Sequence, residues 1–355
     1  MSAPAGGRTY DRLADLPLTV EGYRFTPMAL EFPGYTRVTT PIWIAGAGEE
    51  GVGEDVCYDP ADHQAMYTAG PVQPLAGTWT LRSFSEHLDE LNLFPTPPAF
   101  PFHIQYRRWA FESAALDLAL RQAGLSLAEA LGIEPRPVTF VTSMRLDDPP
   151  SAARVLRWLQ RDPTLRFKLD PTSDWGVELI AALATTGAVV TVDLKGQYTG
   201  TPVDGEADPE LYARLAEALP DAWIEDPRLT PETRAALAGY EDRITWDASI
   251  HSVDDIRNLE HTPRMINMKP SRFGRLSEVL DAHDYLRAEG IGAYGGGQTE
   301  LGHGRGQIQY LASLFHPDAP NDVAPFGYND PSVPEGLPES PLSTEPAPTG
   351  FRWAG

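Results

Sequence analysis

AVVTVDL at 188–194, AWIED at 222–226 and RITWD at 243–247 are short apolar, β-branched runs, and each carries an acid at its end or one residue before it. Five further runs of the same kind flank them: PVTFVTS at 137–143, LRFKL at 165–169, RMINMK at 264–269, IGAYG at 291–295 and NDVAP at 321–325. Between them lie amphipathic stretches such as DPELYARLAEALP and RLSEVLDAHDYLRAEG. Strand-length runs alternating with helix-length stretches predict parallel strands with crossover helices. Eight repeats fit a closed α/β barrel of TIM type better than an open sheet. A doubly wound sheet would need a Gly-rich first turn, and PVTFVTS is followed by MRLDDPP.

In a parallel barrel all strand-to-helix loops open on one face, and catalytic residues collect there. The strand ends of this chain are charged in sequence: Lys168, Asp193, Glu225, Asp247 and Lys269. A single lysine at a strand end is more often a surface ion-pair partner, and a single aspartate more often caps the next helix. Five successive strands carrying such residues are a different matter. Three acids on adjacent strands place oxygen ligands around one hard cation, Mg²⁺ or Mn²⁺, with an amine on each side. The chemistry that uses this arrangement is removal of a proton α to a carboxylate, because the cation can stabilise the enediolate. A lysine beside a cation and a second lysine loses proton affinity and can serve as a neutral base near pH 7 to 8. With one base per face, a proton can leave on one side and return on the other.

The first 135 or so residues read as a smaller α+β unit. Strand-like LTVEGYRF and TTPIWIAG precede a Pro-rich stretch and the helix YRRWAFESAALDLALRQAG. From about Gly327 the chain is rich in Pro, Ser and Glu, which predicts an extended tail whose closing FRW docks. The expected division is therefore 1–135, 136–326 and 327–355.

The 355 residues carry 28 Lys and Arg against 50 Asp and Glu, a formal charge of −22 that repels phosphate backbones and anionic lipid surfaces. Nucleic acid and membrane are not expected partners. No apolar run approaches the length that spans a bilayer, and the N-terminal segment has no signal-peptide pattern, so a cytoplasmic protein is expected. Cys57 is the only cysteine. That excludes an internal disulfide and argues for a small buried side chain.

Taken together, GVGE at 51–54, AFESAALDLALRQAGLSLAEALG at 110–132, FKLD, VDLKGQY, WIEDP, WDAS and INMKPSRFG resemble the enolase superfamily, in its muconate lactonizing enzyme subgroup. The resemblance implies a (β/α)7β barrel with an N-terminal α+β capping domain that closes over the substrate. It implies Mg²⁺ on Asp193, Glu225 and Asp247, and acid/base roles for Lys168 and Lys269. It further implies a homo-oligomer acting on a small carboxylate by racemisation or epimerisation, cycloisomerisation or dehydration. No His–Asp dyad marks strands six and seven, which argues against the mandelate racemase branch.

Departures from the family pattern mark where specificity is to be sought. Lys195 stands where many members have Asn, and WDASIHS lacks the acid that often follows the third ligand. Lys195 is a candidate partner for a substrate anion or for a site carboxylate. The loop GGGQTELGHGRGQ at 295–307 places Gln298 and Glu300 at the barrel mouth, as expected substrate contacts. Arg272 is a candidate grip for a distal carboxylate, or a structural ion-pair partner. The 28–40 segment corresponds to the family's mobile specificity loop, with Phe32 and Tyr35 as lids. Lys195 and the missing acid also motivate an alternative, a catalytically silent barrel that keeps the cation and binds a carboxylate.

Overall fold

The computed structural model describes residues 7–353 apart from 33, 329, 331 and 344. Residues 1–6 of the expected capping unit and 329, 331, 344, 354 and 355 of the expected tail lie outside the described residues, as does Pro33 of the expected loop.

Five parallel strands, Thr142–Arg145, Phe167–Asp170, Val189–Asp193, Trp223–Glu225 and Ile244–Thr245, lie side by side in chain order. Met265–Met268 and Gly292–Gly295 form a second parallel pair. Helices Ala153–Arg161, Val177–Thr185, Pro209–Ala218, Pro231–Ala236 and Val253–Arg257 follow the first five strands; Leu276–Glu289 and His303–Phe315 follow the other two. Alternation along each strand sorts side chains. Phe167, Leu169, Val192 and Ile224 pack outward with Val155, Trp158, Ile180, Leu183, Leu211 and Leu215 in one buried cluster. Each such side chain contributes roughly 1.5–3 kcal/mol by leaving water. The intervening positions, Lys168, Thr191, Asp193 and Glu225, point the other way, into the strand array.

Single hydrogen bonds link the ribbons. The Asn267 N–H donates to the Trp246 carbonyl at 3.0 Å, Asp322 N–H to Gly295 O at 2.8 Å, and Val141 N–H to Asn321 O at 2.8 Å. The eighth run, expected as a strand over 321–325, is reduced to bridges at Asn321 and Asp322. Pro320 and Pro325 on either side cannot donate to a ladder. The first run is also shifted. Its strand begins at Thr142, because Val138 pairs instead with Leu342 of the tail.

The N-terminal sheet is antiparallel: Gly22–Phe25, Met28–Phe32 and Glu49–Asp55 all pair with the long strand Tyr35–Gly46. The 28–40 segment, expected as a loop, is thus a β-hairpin in which Phe32 pairs with Tyr35 and their rings stack at 5.1 Å. Helix His103–Ala123 crosses beneath this sheet at backbone contact. Cβ atoms at Gly51 and Gly53 would lie 2.2 Å from Ala114 O and 2.0 Å from Ala110 O, so only glycine permits the approach. The same helix joins the two units, because Trp109, Phe111 and Leu116 share a buried cluster with Ile250, Ile266, Met268 and Phe273. Phe351 of the tail is fully buried beside Trp109, and its N–H donates to Asp117. No helix among the described residues is long and apolar enough to cross a membrane.

Candidate active site

Parallel register sets the spacing of the acids. Glu225 lies directly beside Asp193, and Glu225 is also paired with Thr245, two residues before Asp247. Lys168 pairs with Thr191, two residues before Asp193. All three carboxylates are fully buried at the strand ends.

Four cations contact them. The Lys168 ammonium lies 2.6 Å from Glu225 and 3.1 Å from Asp193, with Asp322 at 3.4 Å. Lys195 pairs with Asp193, and with Asp170 at 3.6 Å. At the far end of the acid row Lys269 lies 2.8 Å from Asp247, and the Arg272 Nε donates to the same carboxylate at 3.0 Å. The five strand-end residues expected from sequence are therefore brought together, with Lys195 and Arg272 added. Arg272 is turned onto Asp247, Tyr198 and the Ala248 carbonyl, the structural pairing named as one of its two expected roles.

Electrostatics differ along the row. Burial alone would raise Asp193, but Lys168 and Lys195 outweigh it and bring its pKa down to about 2. Asp247 is likewise held well below the ordinary range, against burial, by Arg272 and Lys269. Glu225 is pushed up to about 8 by burial and by the charges of Asp193 and Asp247, despite Lys168. Burial disfavours the Lys168 charge, yet its three carboxylates raise its pKa well above the ordinary value. At Lys168 the surrounding acids, rather than the like-charge repulsion expected to make it neutral, dominate the proton affinity.

The donor set fits a divalent cation. Asp170, Asp193, Glu225, Asp226, Asp247 and Asp322 carry six formal negative charges in one network with Lys168, Lys195, Lys269 and Arg272. Burial and the neighbouring acids oppose the Glu225 charge, which a divalent ion would favour, and all-oxygen donors suit Mg²⁺ or Mn²⁺.

Sequence reasoning missed the groups that orient these acids. Tyr294 donates to Glu225 at 2.7 Å, Asn267 to the other Glu225 oxygen at 3.2 Å, and Tyr198 to Asp247 at 2.8 Å. Parity offered one signal, since Asn267 lies two residues before Lys269 and shares its face. Asp226 accepts the N–H groups of Asp247 and Ala248, both at 2.9 Å, and so fixes the end of the fifth strand. Asp226 and Lys195 both have positive φ, 49° and 54°, a strained geometry of the kind that collects at functional sites.

The 295–307 loop is drawn in tightly. A Cβ on Gly296 would lie 2.7 Å from the Lys269 Cε, so the missing side chain makes room for the lysine. Gln298 accepts from the Tyr58 hydroxyl at 3.0 Å, while its amide nitrogen is buried without a partner. Glu300 folds back: it accepts from the Gln298 N–H at 2.6 Å and meets Arg305 at 3.4 Å. These contacts tie it to its own loop. Arg37, two residues beyond Tyr35, donates to the carbonyls of Val56, Cys57, Gln298 and Thr299, fastening the hairpin to this loop. Among the described residues, no hydrogen bond joins Phe32 or Tyr35 to the carboxylate cluster.

A second group, Cys57, Asp62 and His103, brings potential ligand atoms within 4.8 Å of one another in the N-terminal unit. His103 has no free nitrogen: Nδ1 donates to Asp62 at 2.6 Å and Nε2 accepts from the Tyr58 N–H at 3.1 Å. Burial holds the Cys57 thiol protonated. This group is a structural network, in keeping with the expected buried cysteine.

The fold and strand-end acids place the chain in a recognisable class. An enolase superfamily member from Listeria innocua Clip11262 aligns with TM-score 0.67 at 18% identity, covering 86% of each chain. A dipeptide epimerase from Methylococcus capsulatus, complexed with Mg ion, aligns at 0.64 and 19%, covering 86% of this chain and 89% of that one. The fold is that of the enolase superfamily. Within it, the chain belongs to the family described as domain of unknown function DUF8230, whose N-terminal domain matches residues 11–130 and whose C-terminal domain matches 134–330. Sequence relatives include an o-succinylbenzoate synthase from Bacillus subtilis (strain 168), 28% identical over 60% of this chain. That match spans 57% of the Bacillus protein's length. An N-succinylamino acid racemase from Thermus thermophilus is 27% identical over 96% of this chain and 91% of its own.

Proposed function

We propose that the protein is a cation-dependent isomerase or lyase that removes the proton α to the carboxylate of a small substrate. Asp193, Glu225 and Asp247 are its ligands for Mg²⁺ or Mn²⁺, and Lys168 and Lys269 are its acid/base pair. The observation that carries this reading is the buried row of three carboxylates with one lysine ammonium at each end. The relatives' names suggest N-succinylamino acids as a substrate class and racemisation or epimerisation as the reaction, and the family resemblance adds cycloisomerisation and dehydration of small carboxylates. In this reading the three bridging hydrogen bonds close 136–326 into a (β/α)7β barrel, 1–135 is its cap, 327–355 is a tail, and the chain forms a homo-oligomer.

A bound divalent ion would act as a Lewis acid toward the enediolate oxygens. The remaining work falls to the chain. Tyr294 and Asn267 hold Glu225, while Tyr198 and Arg272 hold Asp247, so the carboxylates are oriented before ligand arrives. Each lysine takes or returns the α-proton at its Nζ from its own side. Gln298 offers a buried amide donor without a partner among the described residues, beside Tyr58 and suited to an acceptor oxygen on the distal part of the substrate. Lys195, the most exposed of the four cations, is the partner proposed for a substrate anion.

The test is α-proton exchange in D₂O with a panel of carboxylates, N-succinylamino acids included. Deuterium should enter at the α-carbon with Mg²⁺ present and not with chelator. Exchange that is indifferent to chelator would contradict the cation's role. A second reading is favoured by the Lys195 ammonium lying on Asp193: a silent barrel that binds cation and carboxylate. It predicts carboxylate binding with no exchange for any bound member of the panel.

A further inference from the structure

We infer that Asp322 is the positioning residue for Lys168. This rests on the functional reading above and deepens it. Lys168 is held by three carboxylates, Glu225 at 2.6 Å, Asp193 at 3.1 Å and Asp322 at 3.4 Å. Two of the three are proposed ligands, and an oxygen lone pair given to a cation is not available to the ammonium. Asp322 is the carboxylate left to keep the ammonium in line.

Its placement is over-determined. The Asp322 N–H donates to Gly295 O at 2.8 Å. The preceding Asn321 accepts from the Gly295 N–H at 2.6 Å and donates to the carbonyls of Thr139, His316 and Ala319. Among the described residues, Lys168 is the only ion-pair partner of Asp322. Lys269 has no equivalent: its ion pair is with Asp247, itself a proposed ligand. The two bases are therefore built unequally, and loss of Asp322 should disturb one face of the reaction only.

The experiment compares wild type and Asp322→Asn with Mg²⁺ in D₂O, using N-succinyl-D-phenylalanine and N-succinyl-L-phenylalanine separately. Exchange of one enantiomer should fall about 10- to 100-fold, the size expected of a misplaced catalytic group, while the other stays within about twofold. Asp322→Glu should recover part of the loss. Mn²⁺ affinity, read by electron paramagnetic resonance, should be unchanged, because Asp322 is not a ligand. Independently of any substrate, the Lys168 ammonium proton–nitrogen resonance, identified by its absence in Lys168→Arg, should persist in the Mg²⁺-loaded wild type and be lost in Asp322→Asn. Equal loss for both enantiomers, or an unaltered resonance, would overturn the inference. A wild type that exchanges neither enantiomer counts against the functional reading with this probe and leaves the resonance to decide on Asp322.

Discussion

At the scale of single residues, the site is a balance between acids and the cations laid on them. Lys195 shows it most directly, since its ammonium sits on a carboxylate assigned to a divalent ion. Replacing Lys195 with Met should strengthen Mn²⁺ binding, by about 5- to 30-fold if the repulsion removed is of order 1–2 kcal/mol in a partly screened site. Unchanged affinity would show that Lys195 swings clear when the ion binds. Asp226 acts through backbone. Asp226→Ala leaves the N–H groups of Asp247 and Ala248 buried without acceptors, and denaturant unfolding should show a loss of about 1–3 kcal/mol for each. The acids and lysines were legible in sequence because charge at the end of an apolar run has no other ready explanation when it recurs on five strands. Tyr198, Tyr294, Asn267 and Asp322 were not. Neutral polar side chains occur at many strand positions, and nothing local says which of them reach across to a neighbouring carboxylate. Asp322 was hidden further by a strand so short that its register emerges only from the assembled array.

Among the elements, strand existence was legible and strand extent was not. The runs at 188–194, 222–226, 264–269 and 291–295 each contain a strand, trimmed at one or both ends, and the strand of the 165–169 run is shifted to Phe167–Asp170. At 137–143 the tail captures the first half of the run through Val138 and Leu342, a pairing between residues some two hundred positions apart that no local pattern could announce. The 28–40 segment is expected as a loop only from the family resemblance; Met28–Phe32 pairs with the start of Tyr35–Gly46 as a hairpin. GVGE at 51–54 earned notice as a motif, and its physical reason is contact. A Cβ at Gly53 would sit 2.0 Å from Ala110 O and 2.3 Å from the Ser113 hydroxyl, neither of which can retreat easily. Gly53→Ala should therefore destabilise the protein by about 1–3 kcal/mol, as overpacking does, seen as a lowered thermal midpoint. A midpoint equal to wild type would mean that the helix has room to shift.

Across the whole molecule, the two units share one buried cluster and the 298–299 loop is fastened to the N-terminal sheet by Arg37, so the N-terminal sheet and the strand ends meet as one structure. His316 is buried, with Nδ1 donating to Asn321 at 2.7 Å. Burial lowers its pKa from 6.5 to about 4, despite that hydrogen bond. The unfolded chain therefore binds this proton first, and stability falls as pH drops from about 6.5 to about 4, by of order 3 kcal/mol in all. Other groups titrate in the same range, so the quantity to follow is the difference between wild type and His316→Gln in urea unfolding at pH 7.5 and pH 5. Wild type should lose more than the variant, and equal losses would show that His316 does not contribute.

The central claim is that Lys168 and Lys269 serve opposite faces of one substrate carbon beside the Asp193, Glu225 and Asp247 row. Its most direct measurement is α-proton exchange in D₂O, with Mg²⁺, of each enantiomer of an exchanging carboxylate in Lys168→Ala and Lys269→Ala. The account predicts that each variant loses exchange of a different enantiomer, by about 10²- to 10⁴-fold, and keeps partial exchange of the other. Both enantiomers exchanging at wild-type rates in either variant would contradict it.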